Sequence, residues 1–288
     1  MTVFWPIKKM FDKNFLEDYI KRNNIPNNPR RCLVEYLQSE ILEILYTSKY
    51  GNYLSFLGGT CLRFAYGIER FSEDLDFDAI RLGLNYAELA KYLKKKLEER
   101  GFSIDTRAKK TENIFIIFLK FSQVLQQMGL TELMDQKIKI KFEVDPTPYK
   151  NIAYESKTIS AYGKMFNIIS NTLPTLFAQK IIALKCRPYQ KGRDFYDLVW
   201  FLAQKKLEPN YAILQEKNFF GEKPACRQAG KQELIFELQK IISVLDLKQA
   251  VKDVSPFLFY SEQAKWILQL PEFIENWNQK AEPIRINE

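Results

Sequence analysis

Apolar residues recur along this chain with two different periods, and the switches between them divide it into helices and strands. After Asn27-Asn28-Pro29, a helix-start signal, Leu33, Tyr36, Leu37, Ile41 and Leu45 fall on helical spacing, so the first 50 residues read as a helical arm. Tyr53-Leu54-Ser55-Phe56-Leu57 is a short apolar strand that runs into Gly58-Gly59-Thr60. A short helix from Cys61 to Tyr66 follows, closed by Gly67. In Asp74-Leu75-Asp76-Phe77-Asp78-Ala79-Ile80 the period becomes two, that of a strand. Leu89, Leu93 and Leu97 mark an amphipathic helix over 85–100, which Gly101 stops.

Three further strands are expected over 102–106, 114–121 and 138–144. The last alternates as Lys137-Ile138-Lys139-Ile140-Lys141-Phe142-Glu143-Val144-Asp145 and ends at Pro146 and Pro148. Segments 157–161 and 165–169 add two edge strands. From Pro174 onward the pattern is helical only, over 174–186, 192–205, 209–217, 228–244 and 262–277. The expected architecture is α+β: a helical arm (1–50), a mixed sheet flanked by helices (51–170) and a C-terminal helical domain (171–288).

Composition narrows the chemistry. With 46% hydrophobic and 27% charged residues, the 288-residue chain has material for one large domain or two ordinary ones. The net charge of +8 favours polyanionic partners such as nucleic acid, acidic protein or an anionic membrane surface. Histidine is absent, which removes histidine zinc sites, Ser–His and Cys–His pairs and histidine acids or bases. Cys32, Cys61, Cys186 and Cys226 form no CxxC pair and read as reduced thiols. The N-terminus lacks the apolar run of a signal peptide, and no stretch approaches the roughly 20 apolar residues of a membrane span. A soluble, cytoplasmic protein with no membrane partner is expected.

The candidate chemistry lies between Phe56 and Phe77. On a strand, Asp74 and Asp76 point to one face, and two adjacent carboxylates resist joint ionisation unless a cation lies between them. Oxygen ligands suit Mg²⁺ or Mn²⁺. Gly58 and Gly59 sit where a strand turns into a helix, so backbone N–H groups are available to a phosphate, with the Thr60 hydroxyl beside them. A phosphate cradle beside a two-acid metal platform is what nucleotidyl transfer needs. A third acid is expected on a neighbouring strand, and Glu143, flanked by Phe142 and Val144, is favoured over Asp145. Asp78 is expected to be a solvated charge.

Gly58-Gly59-Thr60, Arg63, Arg70, Ser72 and Asp74-Leu75-Asp76-Phe77 together resemble motif I of the AbiEii/AbiGii-type toxins, nucleotidyltransferases of the DNA polymerase β-like superfamily found in bacterial toxin–antitoxin and phage-defence systems. Lys180 with Arg187, then Arg193-Asp194 and Asp197-Leu198, resembles the downstream lysine and Arg-Asp-x-x-Asp-Leu motifs, and Glu143 resembles the middle acidic motif. Thr60 stands where many such enzymes have Ser. The resemblance covers about 58–200. It implies that Asp74, Asp76 and Glu143 hold the divalent ions, that Gly58, Gly59, Thr60, Ser72 and Lys180 hold the NTP phosphates, and that Asp194 is a catalytic or positioning acid, available as the base for the acceptor hydroxyl. It also implies a cognate antitoxin. The acceptor expected first is RNA, such as the 3′ end of tRNA. A protein or small-molecule acceptor, and a catalytically inactive NTP-binding interaction protein, are the alternatives.

Overall fold

The computed structural model describes residues 13–111, 113–133, 135–187, 189, 191–221 and 230–279. Cys226, the first residues of the chain and the start of the helix expected at 228 lie outside them. Backbone contacts divide the chain into two compact units. Unit 1 comprises Met1–Gly67, Phe71–Pro148 and Glu155–Ser170, and unit 2 comprises Ile68–Arg70, Tyr149–Tyr154 and Asn171–Glu288. Among the described residues no helix is long and apolar enough to cross a membrane.

Unit 1 begins with α1 (Lys13–Arg22) and α2 (Pro29–Tyr46). The side chain of Asn28 accepts the Arg31 N–H at the start of α2, and Pro29 occupies the first turn, where its missing N–H costs nothing. There follow β1 (Leu54–Leu57), α3 (Gly58–Tyr66), β2 (Leu75–Ala79), α4 (Tyr86–Glu99), β3 (Ser103–Lys110), β4 (Phe115–Ser122), α5 (Val124–Gln127), β5 (Ile138–Asp145), β6 (Tyr154–Ala161) and β7 (Lys164–Asn171). The strands form one mixed seven-stranded sheet in the order β3-β4-β5-β2-β1-β7-β6. β1 runs antiparallel to β2 and parallel to β7, while β2 runs parallel to β5. Of the two strands expected at an edge, β6 is one, but β7 lies inside the sheet between β1 and β6. Strand order is set by tertiary pairing, which a local pattern does not encode.

Alternation gives the β2–β5 region of the sheet one apolar face. Phe77 and Phe142 stack on it at 4.3 Å, and Ile117, Leu119 and Ile140 are fully buried there. Helices α2 and α4 pack on that side, α4 through Leu89, Leu93 and Leu97. The arm helix α2 is more than an amphipathic surface element. It also buries Glu35, Gln38, Ser39 and Glu40; the two glutamates and Ser39 are satisfied inside unit 1, while the Gln38 Oε1 has no hydrogen-bond partner among the described residues. Glu35 pairs with Arg63 at 2.7 Å and accepts from the Tyr162 hydroxyl, and Glu40 pairs with Lys164 at 2.9 Å and with Arg100.

Unit 2 contains α6 (Leu173–Cys186), α7 (Gly192–Ala203), α8 (Tyr211–Glu216), α9 (Lys231–Ser243), α10 (Leu247–Val254) and α11 (Leu270–Gln279). The final helix expected over 262–277 is a 3₁₀ segment, Ser261–Gln269, that passes into α11. The core includes a parallel stack of Phe177 on Phe201 at 4.7 Å. Gly192 lets α7 meet α10, since a Cβ there would collide with the Ala250 carbonyl.

Candidate active site

The turn from β1 into α3 is built around Gly58. Its φ of +78° is a left-handed conformation that side chains disfavour, and a Cβ at this position would collide with Oδ2 of Asp76. The antiparallel register places Leu57 opposite Asp76 and so brings the glycine and the carboxylate together. Helix α3 starts at Gly58 itself, three residues ahead of the Cys61 start read from the sequence. Leu57 provides no side-chain cap, so the first-turn N–H groups at Gly58 to Thr60 have no side-chain acceptor there. Thr60 is buried, and its hydroxyl donates to the Asp74 carbonyl, which fixes the backbone at the entry to β2.

The acids form a ladder across β2 and β5. Asp76 is the register partner of Glu143, and Asp78 of Asp145, with the pairs side by side on parallel strands. Asp74 lies one residue before β2. Like charges placed directly across a strand pair repel, and the arrangement is held only where positive charge is at hand. Lys141 supplies part of it, with its Nζ 2.7 Å from Glu143. Burial pulls the Lys141 ammonium down, but the hydrogen bond to Glu143 and the fields of Asp74 and Asp76 outweigh it and raise the pKa above the ordinary lysine value. Asp78, expected to be solvated, is 3% exposed: it is buried on the strand face it shares with Asp76, with Ser55 and Asp145 as its register partners. Asp145 accepts the Thr147 N–H at 2.8 Å and so shapes the turn after β5.

The donor set suits a hard divalent cation: carboxylate oxygens only, two of them facing each other, beside a glycine whose hydrogen leaves room for Asp76. Among the described residues no three acidic or thiol side chains converge into a closed metal cage, and Glu143 is shared with Lys141. Ser72 lines a cleft that none of the ladder acids lines. Buried Gln38 donates to the Ser72 carbonyl at 3.1 Å, and the cleft, of about 340 Å³, is also lined by Asn28, Arg30, Arg31, Val34, Phe71 and Glu73.

Unit 2 holds the other motif residues in a closed charge network. Arg70, 1% exposed, grips Asp197 through Nε at 2.6 Å and a second nitrogen at 2.7 Å. Lys180 lies 2.7 Å from Asp197 and 2.9 Å from Asp194, and Arg187 closes the chain on Asp194. Burial pulls Lys180 down, but Asp194 and Asp197 outweigh it, so the ammonium is held charged with a raised pKa. Burial pushes Asp194 up, yet Lys180 and Arg187 overcome it and hold the carboxyl below the usual aspartate value.

Thus Gly58, Gly59, Thr60, Asp74, Asp76 and Glu143 gather at one end of the unit 1 sheet, Ser72 lines its own cleft, and Lys180 and Asp194 bind each other in unit 2. Sequence reasoning passed over Lys141 and Asp78 as members of the ladder, and Arg70 and Asp197 as the centre of the network. The alternation that placed Glu143 on a face also places Lys141 there, so that signal was present.

The profile of the nucleotidyl transferase AbiEii toxin family, of the type IV toxin–antitoxin system, matches residues 40–274. No functionally curated protein matches the chain. Among solved structures, the Helicobacter pylori protein JHP933 superposes with a TM-score of 0.51 at 19% identity, over 88% of this chain and 94% of that one. A structure from H. pylori described provisionally as a nucleotidyltransferase gives a TM-score of 0.50 at 18% identity, over 88% of this chain and 96% of that one. At these identities the likeness is one of fold.

Proposed function

This chain belongs to the AbiEii family of nucleotidyltransferase toxins of type IV toxin–antitoxin systems, and from that premise we propose that it moves a nucleoside monophosphate from an NTP onto an acceptor hydroxyl with the aid of Mg²⁺ or Mn²⁺. The observation that carries this reading is the meeting of Gly58, Asp76 and Glu143, an uncapped helix start against facing carboxylates. Asp74 and Asp76, joined by Glu143 when Lys141 releases it, would hold the cation. When bound, the cation supplies Lewis-acid neutralisation of the phosphates. The Gly58–Thr60 N–H groups donate to the triphosphate oxygens. Thr60 acts by fixing Asp74, since its hydroxyl already donates to that carbonyl. In the transfer, the acceptor hydroxyl gives up its proton to solvent water, its oxygen bonds to the α-phosphorus, the α–β anhydride bond breaks, and pyrophosphate leaves with the electron pair.

Asp194 is read as a positioning group that holds Lys180, because a carboxyl with a lowered pKa is a weak base for a hydroxyl proton. Lys180 keeps its proposed part in nucleotide binding, as a cation kept charged by two aspartates. The net charge of +8 supports RNA as the acceptor, with the 3′ end of tRNA the first to test. Family membership implies an antitoxin partner, and a role in abortive phage defence from the cytoplasm completes the proposal. Incubation with each α-labelled NTP, total RNA and Mg²⁺ or Mn²⁺ tests it. Label on RNA is the expected result, and label on protein alone would overturn the RNA acceptor.

A further inference from the structure

The face of the sheet opposite α2 and α4 is polar, open and strongly basic next to the acid ladder. Register places Arg107, Phe118 and Lys141 in one row across β3, β4 and β5. The adjoining rows are Asp105, Lys120 and Lys139 on one side and Lys109, Ile116 and Glu143 on the other. Arg107, Lys109 and Lys139 are exposed, and Lys120 and Phe118 are partly so. Asp105 is already neutralised by Lys137 at 3.0 Å, and Glu143 by Lys141. Arg107, Lys109 and Lys120 have no carboxylate within ion-pair distance among the described residues, and Lys139 lies over the Phe118 ring at 4.2 Å. Surplus positive charge spread over three strands, interleaved with an aromatic ring, costs the fold self-repulsion and has no use in packing. Cations on alternate residues lie about 7 Å apart along a strand and about 5 Å apart across strands, the scale of neighbouring phosphates on a stretched polynucleotide.

We infer that this face of β3, β4 and β5 is the docking platform for a single-stranded polynucleotide, whose phosphates lie on Arg107, Lys109, Lys120 and Lys139 and whose base stacks on Phe118. One of the rows, Lys109–Ile116–Glu143, runs on to Asp76, so a strand on the platform whose end follows that row delivers its terminal hydroxyl to the acid ladder. Charge complementarity selects this occupant: an acidic protein would also meet the cations, but the flat array with a partly exposed ring suits stacked bases. The platform's role in delivering the acceptor rests on the transferase reading above; its binding of polynucleotide does not.

Fluorescence anisotropy of the full chain with short labelled single-stranded RNA and DNA, and with a glutamate-rich peptide, tests the platform without NTP or divalent ions. The Arg107→Glu/Lys120→Glu/Lys139→Glu variant is expected to bind the polynucleotides at least about tenfold more weakly. Its log–log salt slope should fall by about 2, from three phosphate contacts at about 0.7 each. Phe118→Ala should lose about tenfold with the slope unchanged. If the triple variant fails to fold by circular dichroism, Lys120→Gln/Lys139→Gln reads the same surface with a smaller slope change. Unaltered polynucleotide affinity in the variants overturns the inference, as does tighter binding of the acidic peptide than of either strand. Platform-dependent binding with no nucleotide transfer by the wild-type chain supports the platform and removes the transferase reading. Transfer to RNA with an unchanged acceptor KM in the triple variant does the reverse.

Discussion

Two charged clusters share the motifs of this chain, and they are balanced in opposite ways. In unit 2 every carboxylate of the network has at least two cationic partners: Asp197 has Arg70 and Lys180, and Asp194 has Lys180 and Arg187. In unit 1, Asp76 faces Glu143 and Asp78 faces Asp145, and Lys141 is the lysine that pairs with this ladder at Glu143. A balanced buried network is a structural anchor whose partners cannot be removed singly. Facing acids repel each other across the ladder, and under the proposed reading a substrate-bound cation relieves that repulsion.

Substitutions sharpen this contrast. The largest effect on activity is expected at Asp76: Asp76→Ala should reduce nucleotide transfer by at least about 10²-fold, with the thermal melting temperature unchanged or raised as like-charge repulsion is relieved. The largest effect on stability is expected at Arg70. Arg70→Ala leaves the buried Asp197 with Lys180 alone and should cost about 3 kcal/mol in urea unfolding. If Asp76→Ala destabilises as much as Arg70→Ala, the two clusters are alike and the contrast fails.

Gly58→Ala comes next. The positive φ costs about 1–2 kcal/mol, and the new Cβ displaces the Asp76 carboxylate. Transfer activity should therefore fall by more than the stability loss explains. Wild-type activity at full occupancy of NTP and metal would remove Gly58 from the site.

A smaller effect is expected with pH. The folded pKa of Asp194 lies below its unfolded value, so its contribution to stability is complete above the ordinary aspartate range and is lost as pH falls through the lower folded value. Urea midpoints measured from neutral pH into the acid range should drop there in the wild type and drop less steeply in Asp194→Asn. Parallel curves would show that Asp194 is not held by its cations. The smallest effect is that of Lys141→Met, which removes the cation 2.7 Å from Glu143 and should tighten Mn²⁺ binding by about a few-fold in calorimetry. Weaker Mn²⁺ binding in this variant would mean that Lys141 organises Glu143 rather than competing for it.

Much of this contrast was legible in the sequence, unevenly. The alternation over 74–80 and 137–145 gave both acid strands and their faces, since a period of two fixes which side chains share a side. Gly58-Gly59 marked the turn, and the structure adds why Gly58 cannot carry a side chain. The pairing of β2 with β5 that sets Asp76 against Glu143 joins residues far apart in the chain, and local pattern carries no such information. The polar residues buried along α2 escaped notice for a related reason: Glu35 and Glu40 are satisfied by Arg63, Tyr162 and Lys164, which come from distant parts of the chain. The Arg70–Asp197 pair was visible as two motif letters, and only folding shows that they hold each other.

The most direct test is transfer of α-labelled NTP to RNA by the wild type and by Asp76→Asn, run side by side with and without Mg²⁺ or Mn²⁺. Divalent-dependent labelling by the wild type, abolished in the variant while its melting curve is unchanged, is the expected outcome. Equal labelling by both proteins, or wild-type labelling indifferent to chelation, would contradict the assignment of chemistry to the acid ladder of unit 1.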